Sequence, residues 1–235
     1  LVGSGSAGPF GTGAINIRPL ATLDLNGSTI ANAITLNGAG LNSNGALINA
    51  NTTTAATASG AITVAADSAF GGPGAMTTSG AISASTYVVS YLNGVDATAQ
   101  NVGNSISKLT ITNSDVKLKT SAALTINASS LTGSSTIQTV TADKDITVSG
   151  AITNNTDANT LTLMASRDIL VSSPISGATN KSLTTKFYSD VDNTGGGGFK
   201  TTVSTAAIST FGGGILVRGG TTDTTTGCAA AYSCI

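Results

Sequence analysis

Two stretches of the chain are near-copies of each other. "TIQTVTADKDITVSGAI", ending at Ile152, and "TLTLMASRDILVSSPI", ending at Ile175, superpose with a constant offset of 23 residues. Asp145, Ile146, Val148, Ser149 and Ile152 fall on Asp168, Ile169, Val171, Ser172 and Ile175, and Lys144 falls on Arg167. A near-copy at this spacing is the mark of a stacked-repeat architecture, in which each unit is the template for the next.

The unit is built from short strands. Ile15-Asn16-Ile17, Ile34-Thr35-Leu36, Ile62-Thr63-Val64, Leu124-Thr125-Ile126 and Leu161-Thr162-Leu163 each put two aliphatics on one face and a polar residue on the other. That is the period-2 pattern of a half-buried strand. Asn-Gly, Ser-Gly and Gly-Gly pairs separate the strands and supply turn chemistry. Gly-Ala-Ile recurs at Gly13, Gly60, Gly80 and Gly150, each time opening a strand.

Coils of roughly 20–25 residues, each a few strands joined by tight turns, predict a parallel β-helix. The same column of residues then faces inward on every coil. Ile146, Val148 and Ile152 stack on Ile169, Val171 and Ile175, with Thr and Asn ladders outside. About ten coils at about 4.8 Å each make a rod on the order of 50 Å long. The competing fold is a β-sandwich, which also has frequent turns. It does not account for the near-copy, nor for so few large core residues.

Composition agrees with a thin interior. Of 235 residues, 40% are hydrophobic, too many for a disordered polar tract, yet only 4% are aromatic. Charged residues are 9%, against about a quarter in an ordinary soluble domain, and net charge is −1. The ten basic residues are scattered, which argues against nucleic acid as a partner. No apolar run is long enough for a membrane-spanning helix. The chain opens on Leu1 without a leader-like segment, and reads as a processed or trimmed piece of something longer.

The whole of 1–235 reads as one continuous solenoid with two departures. Residues 186–200, "KFYSDVDNTGGGGFK", predict a projecting Gly-rich hairpin or loop. Phe187, Tyr188 and Phe199 there either cover the solenoid wall or form a contact surface. Residues 221–235 form a tail with the two cysteines, Cys228 and Cys234. In an oxidising compartment they suit a small intrachain disulfide loop; a bridge to another chain and free thiols stay open.

Catalytic and cofactor motifs do not assemble. "GGGGFKTT" lacks the Gly that precedes Lys in a phosphate loop. Asp143 with Asp145, and Asp190 with Asp192, are paired carboxylates, but the chain has no His and all eleven acids are Asp. No enzyme, cofactor or metal is expected. A polysaccharide-degrading enzyme on a β-helix scaffold is the least favoured alternative.

Two segments resemble known families. "GTGAINIRPLATLDLNGSTIANAITLNGAGLNSNGALIN" resembles the repeats of autotransporter passengers. "KDITVSGAITNNTDANTLTLMASRDILVSSPISG" resembles the coils of filamentous-haemagglutinin-type exoproteins. The resemblance implies a right-handed β-helix and an extracellular or outer-membrane-associated place on a Gram-negative cell. It also implies an adhesin role in attachment or aggregation, with a host-cell or glycan receptor as partner. Cys228 and Cys234 resemble the terminal cysteine loop of some such adhesins. The alternative is a filament subunit pairing end to end with identical chains or adjacent β-helix segments, since an uncapped coil offers strand edges. Far-ultraviolet circular dichroism should show strand with almost no helix; substantial helix would contradict the fold expectation.

Overall fold

The computed structural model describes residues 10–220. Here the chain winds through about eight turns of a parallel β-solenoid. Each coil gives one short strand to each of three faces. Face 1 comprises Ile15–Ile17, Ile34–Leu36, Ile62–Val64, 82–84, 105–109, Leu124–Ile126, Ile146–Val148, Ile169–Val171 and Phe199–Thr201. Face 2 comprises Leu23–Asp24, Leu47–Ile48, Ser68–Gly71, 89–92, 110–112, Ser129–Leu131, Ile152–Asn154, Ile175–Gly177 and Ile208–Ser209. Face 3 comprises Thr29–Ile30, Ala56–Ala58, Met76–Thr78, Asp96–Ala99, 115–120, Ser135–Thr139, Asn159–Met164, Leu183–Ser189 and Ile215–Gly219. Each strand pairs in parallel with the strand one coil away, as in Leu124–Ile126 on Ile146–Val148 and the latter on Ile169–Val171. Among the described residues there is no α-helix. The one helical piece is a 3-10 turn at Leu41–Ser43.

The period-2 sequence pattern becomes an inside and an outside. Ile146 lies opposite Ile169, Val148 opposite Val171 and Ile152 opposite Ile175, and all six are buried. Where face 2 turns in Phe70 and Tyr91, face 3 turns in Ala56, Ala58, Ala97 and Ala99. The two rings stack with centroids 5.1 Å apart. Small residues on one wall thus accompany large ones on another, as dense packing requires. Outside, face 3 carries a ladder in register: Thr29, Thr57, Thr77, Thr98, Lys117, Thr136, Thr162 and Lys186.

The repeat is looser than 23 residues. Lys108 pairs with Thr125, an offset of 17, and Ile175 with Ile208, an offset of 33. The strands keep their length while the corners absorb the difference, at 37–46 and at 190–198 for example. Short and long coils average out: the nine face 1 strands from Ile15 to Phe199 recur every 23 residues in the mean, and the described residues make a rod about 40 Å long. Buried asparagines seal several corners. Asn49 donates to the carbonyls of Thr54 and Ala75 and accepts the Gly27 N–H, and Asn104 bridges Ala99, Lys119 and Ile82 in the same way.

The Gly-Ala-Ile recurrence has a steric origin at two adjacent coils. A Cβ on Gly80 would stand 1.9 Å from the Gly60 carbonyl oxygen, and one on Gly60 would stand 2.1 Å from the Asn32 oxygen. Only glycine lets these corners approach so closely.

Ile146→Asp should lower stability by at least about 3 kcal/mol, because it buries a charge with no partner. Thr147→Asp, one residue along and facing outward, should cost far less. Denaturant melts of the two variants check the assignment; equal losses would contradict it.

Candidate functional site

The recurrent Asp145 and Asp168 sit where face 1 begins and act as vertical staples. Asp145 accepts the Arg167 guanidinium through both oxygens, Nε at 2.7 Å, and also the Asp168 backbone N–H at 3.1 Å. One coil on, Asp168 accepts the Gly198 N–H at 2.8 Å and the Lys200 ammonium at 2.9 Å. Each carboxylate therefore grips both the backbone and a cation of the next coil. The Arg167 hydrogen bonds hold the Asp145 carboxyl below its ordinary range.

These contacts also describe the two aspartate pairs. Asp145 is engaged with Arg167, while Asp143 lies in a left-handed turn with φ 58°. Asp190 accepts the Gly195 N–H and Asp192 the Thr194 hydroxyl, both within the same corner. Among the described residues no group of three or more potential metal-ligating side chains comes together.

The aromatic segment is not a projecting hairpin. Leu183–Ser189 is a face 3 strand, and Phe199–Thr201 pairs with Ile169–Val171 on face 1. Only 190–198 between them forms a loop, at a corner. Phe187 is fully buried, with its ring centroid 4.8 Å from that of Phe199, and Tyr188 is half-buried on the outer side. The contact-surface reading of Phe187 is therefore corrected. Its odd position in an alternating strand, LTTKFYS, turns it into the core. Cys228 and Cys234, and the tail 221–235, lie outside the described residues.

One apolar feature that reaches solvent lies at the last described coil. Phe199, Thr201, Ala206, Ile208, Ile215 and Val217 line a recess of about 380 Å³. The equivalent interior residues one coil earlier are closed over: Thr185 is buried where Ile215 is 53% exposed. Among the described residues the strands of this coil pair on one side only. The strands of the first described coil likewise pair on one side only, but its interior is covered. Ile17, Leu23, Leu25 and Ile30 are buried, and Phe10 packs against the core.

Two carboxylates stack on face 3. Asp96 and Asp115 occupy matching positions on adjacent coils. Burial, with the Asp96 charge beside it, pushes Asp115 up to about 6; Lys117 opposes the shift. A carboxyl with a raised folded pKa holds its proton more tightly in the folded chain. Stability from this group is then complete below the unfolded value near 3.8 and declines as pH rises towards 6.

No family model, no curated protein and no solved structure matches this chain.

Asp115→Asn should flatten the loss of melting temperature between about pH 4 and pH 6, and raise it above the parent's at pH 7. Thermal melts across that range check it. An unchanged slope would show that Asp115 does not carry the dependence.

Proposed function

We propose that this chain is a non-enzymatic structural and adhesive rod. In this reading it is an extracellular segment of a bacterial surface or secreted exoprotein of the filamentous-haemagglutinin or autotransporter-passenger kind. It holds its outer faces and corners away from the cell for attachment or aggregation. The observation that supports it most is the register-matched stack of coils, whose face 3 presents a continuous outer ladder of Thr and Lys along the rod.

A second reading is a filament subunit stacked end to end on identical chains, since among the described residues the strands of both the first and the last coil pair on one side only.

Electron microscopy of native material, with and without reductant, separates the two. A rod segment gives short separate particles about 40 Å long for the isolated chain. Uniform filaments with a repeat near that length would support the second reading, and their collapse on reduction would place the cysteines at the joint. For adhesion, beads coated with the chain should bind cells, or one another, above beads coated with an unrelated β-protein. Equal binding would contradict the adhesive role.

A further inference from the structure

Seven large hydrophobic residues are exposed among the described residues, and four of them lie on one edge of the rod. That edge is the corner between face 1 and face 2. It carries Leu20 on the first coil, Leu41 on the second, Tyr87 on the fourth and Val203 on the last. The first three are close together. Leu20 and Tyr87 are three coils apart, about 14 Å along the rod, and exposed Ala65 holds the corner between the coils of Leu41 and Tyr87. The Leu41 N–H donates to the Thr22 hydroxyl at 2.9 Å, which seats the 37–46 insertion beside the Leu20 corner.

Leu20 is not there for the fold. Its side chain is 76% exposed and its φ is 63°, a left-handed conformation that Gly or Asn adopts at lower cost. A bulky apolar residue held at a strained, exposed turn points to use outside the core. Tyr87 is set out by the 85–87 bulge, where the register of face 1 and face 2 slips between Ala84 and Val88.

Charge selects the partner. Arg18 is exposed two residues before Leu20, and the Lys108 ammonium lies beside the bulge, donating to the Thr86 carbonyl at 3.0 Å. The nearby carboxylate on this corner, Asp67, accepts the Val88 N–H at 2.8 Å. This edge is thus net positive on a chain whose net charge is −1. Two copies meeting along it would set Arg18 and Lys108 against each other. A narrow convex line of Leu, Leu and Tyr between cations instead suits shallow insertion into a lipid interface, with the Tyr ring at headgroup level.

We propose that the Leu20–Leu41–Tyr87 ridge, flanked by Arg18 and Lys108, docks the rod lengthwise on a lipid surface bearing anionic headgroups. The proposal rests on this edge alone and is independent of the adhesive-rod reading.

Co-sedimentation of the whole chain with phosphatidylcholine vesicles, with and without phosphatidylglycerol, tests it. The parent should bind the anionic vesicles and bind the neutral ones weakly. Leu20→Asn/Leu41→Ser/Tyr87→Ser should lower binding at least about tenfold while melting no lower than the parent, since all three side chains are exposed. Arg18→Gln/Lys108→Gln should remove the preference for anionic vesicles. No binding by the parent, or parent-like binding by the triple variant, would overturn the proposal. A dimer of the parent that the triple variant loses, with no vesicle binding, would also overturn it and assign the ridge to a second copy.

Discussion

Parallel pairing between successive coils is the constraint on which everything else here depends. A strand in this rod has no partner within its own coil; its N–H and C=O groups are satisfied one coil up and one coil down. Each coil must therefore repeat the direction and inward face of the one before. The Ile146 and Ile169 column, the Thr ladder on face 3 and the glycine contact at Gly60 and Gly80 all follow from that requirement. Specificity of register comes from side chains that reach across coils. Asp145 with Arg167, and Asp168 with Lys200, tie neighbouring coils from matching aspartate positions, so the Asp recurs with the aliphatic pattern.

Interior positions were legible in the sequence because a strand has period 2 and the near-copy fixes the register. The six residues from Ile146 to Ile175 that alternation and offset place inside are inside. Coil length was less legible, since corners accept insertions with little effect on the strands. The longest coil hides its extra residues at 190–198, where glycines and turn-forming Asp and Asn look like a projecting hairpin. Phe187 was misplaced for that reason: the Gly-rich tip drew the strand before it into the loop. The buried Asn49, Asn104 and Asn154 carried no signal, because asparagine is common on the surface and its corner-sealing role exists only in three dimensions.

The surface features that bear on function were hidden in a different way. Leu20, Leu41 and Tyr87 are far apart in sequence and share one edge only because corners stack. Phe199, Ile208 and Val217 line the recess at the last described coil, while their register partners Ile169, Ile175 and Phe187 one coil earlier are ordinary core. A solenoid thus turns sequence distance into position along an axis. Its edges collect residues from many coils. The apolar edge supports contact along the rod's length.

Pulsed electron spin resonance distances test the stacked architecture most directly. In a chain with both native cysteines replaced by serine, spin-label pairs would join Leu170 to Thr147, Thr125, Thr63 and Thr35 in turn. These outward residues of face 1 lie one, two, five and six coils from Leu170. The solenoid predicts separations that grow linearly, by about 4.8 Å per coil, to about 29 Å for the Thr35 pair. Distances that fail to increase with coil number, or that reverse, would contradict the parallel stack.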